Sequence, residues 1–334
     1  MAQNTAAYII GVGSYLPKKI LSNSDLEKLI ETSDEWIVSR TGMKERRLAA
    51  CDEFSSDMGT AAAKKALEAA KVFPEELDLI LVATMSPDYL TPSTAALIQS
   101  QLGAVNAAAM DLQAACTGYL YGLSMAKAYI ESGIYRSVLL IASEKMSAFI
   151  DYEDRNTCVL FGDGAAAAVI SDKKNQTSFS IDTICLGADG SLADLFMVPA
   201  GGARNPASQE TVNKRMHYVK MNGKELFKHA VRRMSAAAIK CLSQAGISDD
   251  RISWLIPHQA NTRIIDAIAT SLQIPLTKVY KTLHKYGNTS ASSMAIAFDE
   301  LTQESRIEPG EHLLLVAFGA GLTWGAAVLT KVKD

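Results

Sequence analysis

The chain has 334 residues, enough for one large domain or two ordinary ones with a core that can hold a site rigidly. A formal net charge of −3 supplies no broad basic surface, which argues against nucleic acid as a partner and leaves any anionic ligand to be met by local groups. Five cysteines form an odd set without a C-x-x-C pair, so neither a secreted disulfide framework nor a zinc ribbon is expected, and the compartment they imply is a reducing cytoplasm.

In chain order, Met1–Ala7 lacks a basic stretch followed by a long apolar one, and the first strand-like run, Tyr8–Val12, is too short for a signal sequence. Apolar runs at Leu79–Ala83, Val138–Ala142, Ala165–Ile170, Trp254–Ile256, Leu313–Ala317 and Ala326–Leu329 predict strands alternating with Ala- and Leu-rich helices, an α/β arrangement. Hydrophobicity in these runs is continuous, so both sheet faces should be covered by helices. None approaches the roughly 18 apolar residues of a membrane helix, and no membrane partner is expected.

An internal repeat is superimposed on this pattern. Ala61–Leu81 aligns without gaps on Ala236–Ile256, an offset of 175 residues (236 − 61), and both copies read helix, turn, strand. Phe161–Gly164 followed by an apolar strand is echoed by Phe318–Gly321 followed by another. Two echoes in one order indicate duplication. The polar, aperiodic stretch Ser171–Thr177 predicts the boundary, giving halves 1–172 and 173–334.

Cys116 lies in DLQAACTGYLYG, where small residues lead into helical apolar spacing, so it should sit at a helix N-terminus. There the unpaired N–H groups and the helix dipole favour an anion, which predicts a lowered thiol pKa and a nucleophilic thiolate. Cys51, Cys158, Cys185 and Cys241 lack that setting and read as buried structural cysteines. His258 follows a predicted strand directly, at the end where α/β folds place their sites. Asn288 lies in the turn-rich YGNTS that enters a helix, and the repeat makes it the counterpart of Cys116. No histidine pair has metal-ligand spacing, so no zinc site is expected. The order Cys, His, Asn imitates a papain-like protease, but CTGYL is not that family's local signature and duplicated halves have no place in its fold.

Together these motifs resemble the β-ketoacyl-acyl carrier protein synthase III family of the thiolase superfamily. The resemblance covers almost the whole chain: TSDEWI from Thr32 with Arg40-Thr41-Gly42 and Arg46-Arg47, AACTG, Glu153-Asp154-Arg155 with FGDGA, HQANTRII, GNTSAS and FGAGLTWG, in the family's order. It implies a thiolase-like, five-layered αβαβα fold of two pseudo-symmetric halves and a homodimer. It implies a two-stage reaction without a resident cofactor. A short acyl-CoA, acetyl-CoA favoured, acylates Cys116; malonyl-acyl carrier protein then loses carbon dioxide to give an enolate that attacks the acyl group.

By the same resemblance His258 and Asn288 donate to the enolate oxygen, and the backbone N–H groups of Cys116 and Ala320 hold the acyl oxyanion. Trp36 and Arg155 would sandwich the CoA adenine, with Thr32 and Arg40 nearby and Asn261 along the pantetheine. Arg263 and Lys228 stand for the basic patch that meets the acidic carrier protein. The chain departs from many relatives in carrying Ala320 for a glycine, and from some in carrying Thr91 for a phenylalanine that closes the acyl pocket across the dimer and Thr270 and Ser271 for patch lysines, with Arg232 and Arg233 as compensating cations beside Lys228. Rival readings are a related synthase making a specialised polyketide or signalling quinolone, a non-catalytic carrier-protein-binding module, and a cysteine hydrolase that would release free acid.

Overall fold

The computed structural model describes residues 5–304 and 307–333; the first four residues of the segment read for a leader lie outside it. Among the described residues nine strands form the main sheet: β1 (Tyr8–Tyr15), β2 (Leu79–Ala83), β3 (Ala108–Leu112), β4 (Ser137–Glu144), β5 (Gly164–Ser171), β6 (Phe179–Ala188), β7 (Ile252–Pro257), β8 (His312–Gly319) and β9 (Thr323–Lys331). Seven longer helices accompany them: α1 (Asp34–Thr41), α2 (Ser55–Ala70), α3 (Thr94–Leu102), α4 (Gly118–Glu131), α5 (Gly223–Ala245), α6 (Thr262–Ser271) and α7 (Ser292–Gln303).

The strand order is β7-β8-β9-β6-β1-β5-β4-β2-β3. It divides into two like blocks. In the first, β2 runs parallel to β3 and β4, while β5 is antiparallel to β4 and to β1. In the second, β7 runs parallel to β8, while β9 is antiparallel to β8 and to β6. Val279, bridged in parallel to Leu255, stands where β3 stands in the first block. Within the main sheet the two blocks pair through Tyr8↔Ser180 and Ile9↔Phe179.

Three apolar clusters separate five layers. Ile80, Val82, Leu139 and Ile141 pack outward on Met58, Ala62 and Ala66 of α2. Leu79, Leu81, Leu140 and Ala142 face the other way, meeting Leu313, Leu315 and Ala317 across α4 and α7. On the far side Leu314, Val316 and Val328 pack on Met234, Ala238 and Cys241 of α5. Successive residues of one strand thus enter different cores, which is why the runs read as uninterrupted apolar sequence. β6 was not foreseen, because Ser180, Asp182 and Thr183 interrupt its apolar positions.

The repeat is kept in the turns. α2 ends at Ala70 and α5 at Ala245, and the 3₁₀ turns Pro74–Glu76 and Asp249–Arg251 follow at the same offset of 175 (249 − 74). Each helix closes on a left-handed residue, Lys71 at φ 56° and Gly246 at φ 67°. The first copy therefore carries strain that the second avoids. Lys71→Gly should raise stability by about 0.5–1 kcal/mol, read from a chemical denaturation midpoint; an unchanged or lowered midpoint would refute the equivalence of the two caps.

Candidate active site

After β3 the chain turns through Ala115, left-handed at φ 45°, into the 3₁₀ turn Ala115–Thr117 that opens α4. Cys116 is 3% exposed there. A Cβ on Gly319, at the end of β8, would fall 2.8 Å from the Cys116 nitrogen, so only glycine lets the second block pass this close. Thr323 Oγ1 lies 2.8 Å from Thr117 Oγ1 and donates to Ala114 O at 3.1 Å, clamping the elbow to the β8–β9 turn.

The expected acidic thiol is corrected by its surroundings. Burial pushes the Cys116 thiol up to about 12, with the Glu144 carboxylate adding to the shift. At rest the group is a thiol, and its proton must leave before it can attack a carbonyl.

Asn288 is fixed from both directions, its N–H donating to Leu160 O at 2.8 Å and its carbonyl accepting from Gly162 N at 3.1 Å. Its Oδ1 accepts from Ser290 N at 2.9 Å, which leaves the Nδ2 hydrogens to serve the cavity. Ser290 is left-handed at φ 51°, and its offset from Ala115 is again 175 (290 − 115). Cys116 therefore pairs with Ala291 under the duplication, and Asn288 lies three residues earlier, correcting its expected pairing with the cysteine.

His258 follows β7, its N–H donating to Val316 O at 2.8 Å. Nδ1 lies 2.7 Å from Ser293 Oγ, which also accepts Gln259 N–H at 3.2 Å. The serine's own hydrogen is thus available to Nδ1, an arrangement that puts the imidazole hydrogen on Nε2. Burial lowers this histidine to about 4, so the ring is a neutral donor.

The three side chains line one cavity of about 140 Å³, walled by Phe161, Phe196 and Phe318. Ala320 instead lines a neighbouring cavity of about 730 Å³, with Gly321 and the exposed Tyr89 and Leu90. It lies outside the left-handed region, so its side chain imposes no strain. Thr91 is exposed and lines neither of these two cavities.

Ser33 caps α1 by accepting Trp36 N–H at 3.1 Å. The Arg155 guanidinium carbon lies 4.0 Å from the Trp36 ring centre and that of Arg40 lies 5.7 Å away. Arg155 fills the expected slot, since a ring between the two planes needs about 7–8 Å, two contacts of about 3.5–4.0 Å. Thr32 Oγ1 is buried and finds no hydrogen-bond partner among the described residues. Asn261 lines the cavity but commits its amide, donating to Arg40 O at 3.0 Å and accepting from Arg263 N at 2.8 Å.

Arg263 is exposed on α6. Lys228, exposed on α5, is paired with Glu225 at 2.9 Å. Arg233 turns away from the patch to Asp189 and the Trp324 face, so it cannot compensate as expected. Of the cysteines read as buried, Cys51 is exposed, while Cys158, Cys185 and Cys241 are buried. Among the described residues no His, Cys, Asp and Glu group could hold a metal, and no helix is long and apolar enough to cross a membrane. Sequence reasoning missed Ser290, Ser293 and Glu144; the signal for the last was a carboxylate ending an otherwise apolar strand.

Five layers from a duplicated unit, with a cysteine elbow facing residues of the other block, define a thiolase-like condensing enzyme. Residues 110–190 match the family described as 3-oxoacyl-(acyl-carrier-protein) synthase III, and residues 242–331 match its C-terminal part. A relative named β-ketoacyl-(acyl-carrier-protein) synthase III, from Chlamydia caviae, is 58% identical over 98% of this chain and 97% of its own. The crystal structure of the 3-oxoacyl-(acyl-carrier-protein) synthase III of Aquifex aeolicus superimposes with a TM-score of 0.89 at 46% identity, covering 97% of this chain and 99% of the other. A priming β-ketosynthase of a polyketide biosynthetic pathway superimposes with a TM-score of 0.91 at 36% identity, covering 100% and 98%. The chain belongs to the β-ketoacyl-(acyl-carrier-protein) synthase III family.

Because the fold holds His258 near 4 against an ordinary 6.5, the unfolded chain takes up a proton the native state refuses. Stability from this group is present above pH 6.5 and is lost as pH falls, by on the order of 3 kcal/mol below about pH 4. Denaturation midpoints at pH 8 and 4.5 should fall further apart in the native protein than in His258→Gln; equal falls would mean the imidazole is not held neutral.

Proposed function

We propose that this chain performs the initiating decarboxylative condensation of its family, joining a short acyl group, acetyl favoured, to malonyl-acyl carrier protein through an acyl-Cys116 intermediate. The observation that carries the reading is that Cys116, His258 and Asn288 line one cavity. Cys116 takes the acyl group from the CoA thioester, and free CoA leaves. Decarboxylation of the malonyl group then places negative charge on a thioester oxygen, to which the neutral His258 Nε2–H and the Asn288 Nδ2–H donate. An imidazolium would instead hold a buried positive charge throughout the cycle, and burial disfavours that form. The acyl oxyanion is met by backbone N–H groups at Cys116 and Ala320, across the close approach at Gly319.

In this proposal Trp36, Arg40, Thr32, Arg155 and Asn261 receive CoA, with Arg155 swinging off the indole. Arg263 meets the acidic carrier protein, with Lys228 as a weaker contributor because Glu225 already neutralises it. Residues 1–172 supply the nucleophile and 173–334 the enolate donors. A second copy, bringing its own exposed loop with Thr91, would complete the acyl pocket in a cytoplasmic homodimer. The second reading, priming of a polyketide pathway, is favoured by the likeness to the priming β-ketosynthase; a panel of acyl-CoAs with malonyl-acyl carrier protein separates it by preferred chain length.

Acetyl-CoA should add one acetyl group by intact mass, and the same adduct on Cys116→Ser would refute the assignment. Asn288→Ala should cut decarboxylation of malonyl-acyl carrier protein by roughly two to three orders of magnitude; near-normal decarboxylation would exclude its part as an oxyanion donor.

A further inference from the structure

Glu144 ends β4 as a fully buried carboxyl. Its Oε2 accepts from Ser86 Oγ at 2.6 Å, Met85 N at 3.1 Å and Thr84 Oγ1 at 3.2 Å, and its Oε1 accepts from Ser290 Oγ at 2.9 Å. Ala291 N–H also bonds to it. These partners come from the end of β2 and the start of α7, and all are neutral. Lys145, next in the chain, turns its ammonium to Ala50 O and Glu53 O. The carboxyl has Cys116 as an ionisable neighbour and raises its thiol pKa.

Ser290 connects the two. Its Oγ is 2.9 Å from Glu144 and 3.6 Å from Cys116 Sγ. A serine has one hydroxyl hydrogen, so while it donates to an ionised Glu144 it can only accept from the thiol. If the carboxyl is protonated the chain reverses, with Glu144 donating to Ser290 and Ser290 to the sulfur. Thiol, hydroxyl and carboxylate thus form one continuous path for a proton.

We propose that the Cys116 proton passes through Ser290 to Glu144 as the enzyme is acylated, stays there while the cysteine carries the acyl group, and returns when condensation releases the sulfur. The inference rests on the function proposed above. In acylation the Sγ–H bond breaks as Ser290 Oγ takes that proton and gives its own to Glu144 Oε1. The thiolate then attacks the thioester carbonyl, and CoA leaves as a thiolate that is protonated by water. In condensation the malonyl group loses carbon dioxide, the enolate carbon bonds to the acyl carbonyl, and the expelled Cys116 thiolate recovers its proton by the same path. Glu144 touches no substrate atom and is a positioning residue; Ser290 touches the reacting sulfur.

Charge accounting favours this route. The negative charge sits on Glu144 at rest, moves to sulfur in the thiolate, and is absent from both in the acyl-enzyme. The malonyl carboxylate then brings in one charge, which passes to the enolate and back to sulfur. Were Glu144 still ionised at that stage, a second buried anion would lie one hydroxyl away from the sulfur, through Ser290. His258 is the rival acceptor, but burial lowers the imidazole to about 4 and raises the carboxyl to about 7, making the carboxylate the stronger base.

The test follows alkylation of Cys116 by iodoacetamide, which needs no CoA, beside single-turnover acylation by acetyl-CoA, both against pH. In the native protein both rates should rise as Glu144 ionises through about pH 7. Glu144→Gln and Ser290→Ala should each lose that limb and slow acylation by about two orders of magnitude, with half-saturation by acetyl-CoA unchanged. Ser290→Ala keeps the bonds of Glu144 to Ser86 and Met85, and Ala115 shows alanine in the same left-handed backbone, so this variant folds even where the glutamine variant does not. Persistence of the limb near pH 7 in either folded variant overturns the relay, since a merely structural role would slow the rates without moving the pH profile. Failure of the native protein to take an acetyl group, with the alkylation limb intact, would instead sink the proposed function.

Discussion

Ala115 and Ser290, one from each block, hold left-handed backbone on either side of a single sulfur. Non-glycine residues in that region cost on the order of 1–3 kcal/mol each and persist only where the surroundings over-determine them. Here the surroundings are explicit: Thr323 ties the first elbow to the β8–β9 turn, and Asn288 Oδ1 with Glu144 ties the second. Neither block closes this contact alone, so the geometry of the site is a property of the seam.

Burial at the seam acts in opposite senses on His258, which shares the cysteine's cavity, and on Glu144, which reaches it through Ser290. It strips His258 of its proton and makes Glu144 hold one more tightly, because in each case the neutral form escapes the cost of a charge in an apolar setting. Below neutrality the two groups pull stability in contrary directions. Histidine burial penalises acid, whereas the raised carboxyl gives stability that is present below its ordinary 4.5 and is lost as pH climbs through about 7. The shifts therefore partly cancel in the stability of the fold while both remain available to chemistry.

The layered α/β architecture was legible because strands buried on two faces write themselves as unbroken apolar runs, and the duplication because its offset survives residue by residue through a helix, a turn and a strand. Cys116, His258 and Asn288 stood out by position, at a helix start, after a strand and before a helix. The supporting groups did not. Ser290 and Ser293 look like ordinary turn residues, and Glu144 like the polar end of a strand, since nothing in one dimension says which serine will sit beside which sulfur. The direction of the thiol shift was misread for a related reason: the helix terminus is visible in sequence, whereas the desolvation that outweighs it arises only when the second block covers the elbow.

Arg155 resting on Trp36 sets what a flat ring would have to displace if it entered between them, as the proposed function requires. Trp36 and Arg155 are both half-buried, so the stack is worth about 0.5–2 kcal/mol, and an incoming ring that restacks with the same two planes recovers much of it. Under the proposed function the self-stacked arginine is therefore a placeholder, shielding one face of the indole until a flat ring replaces it.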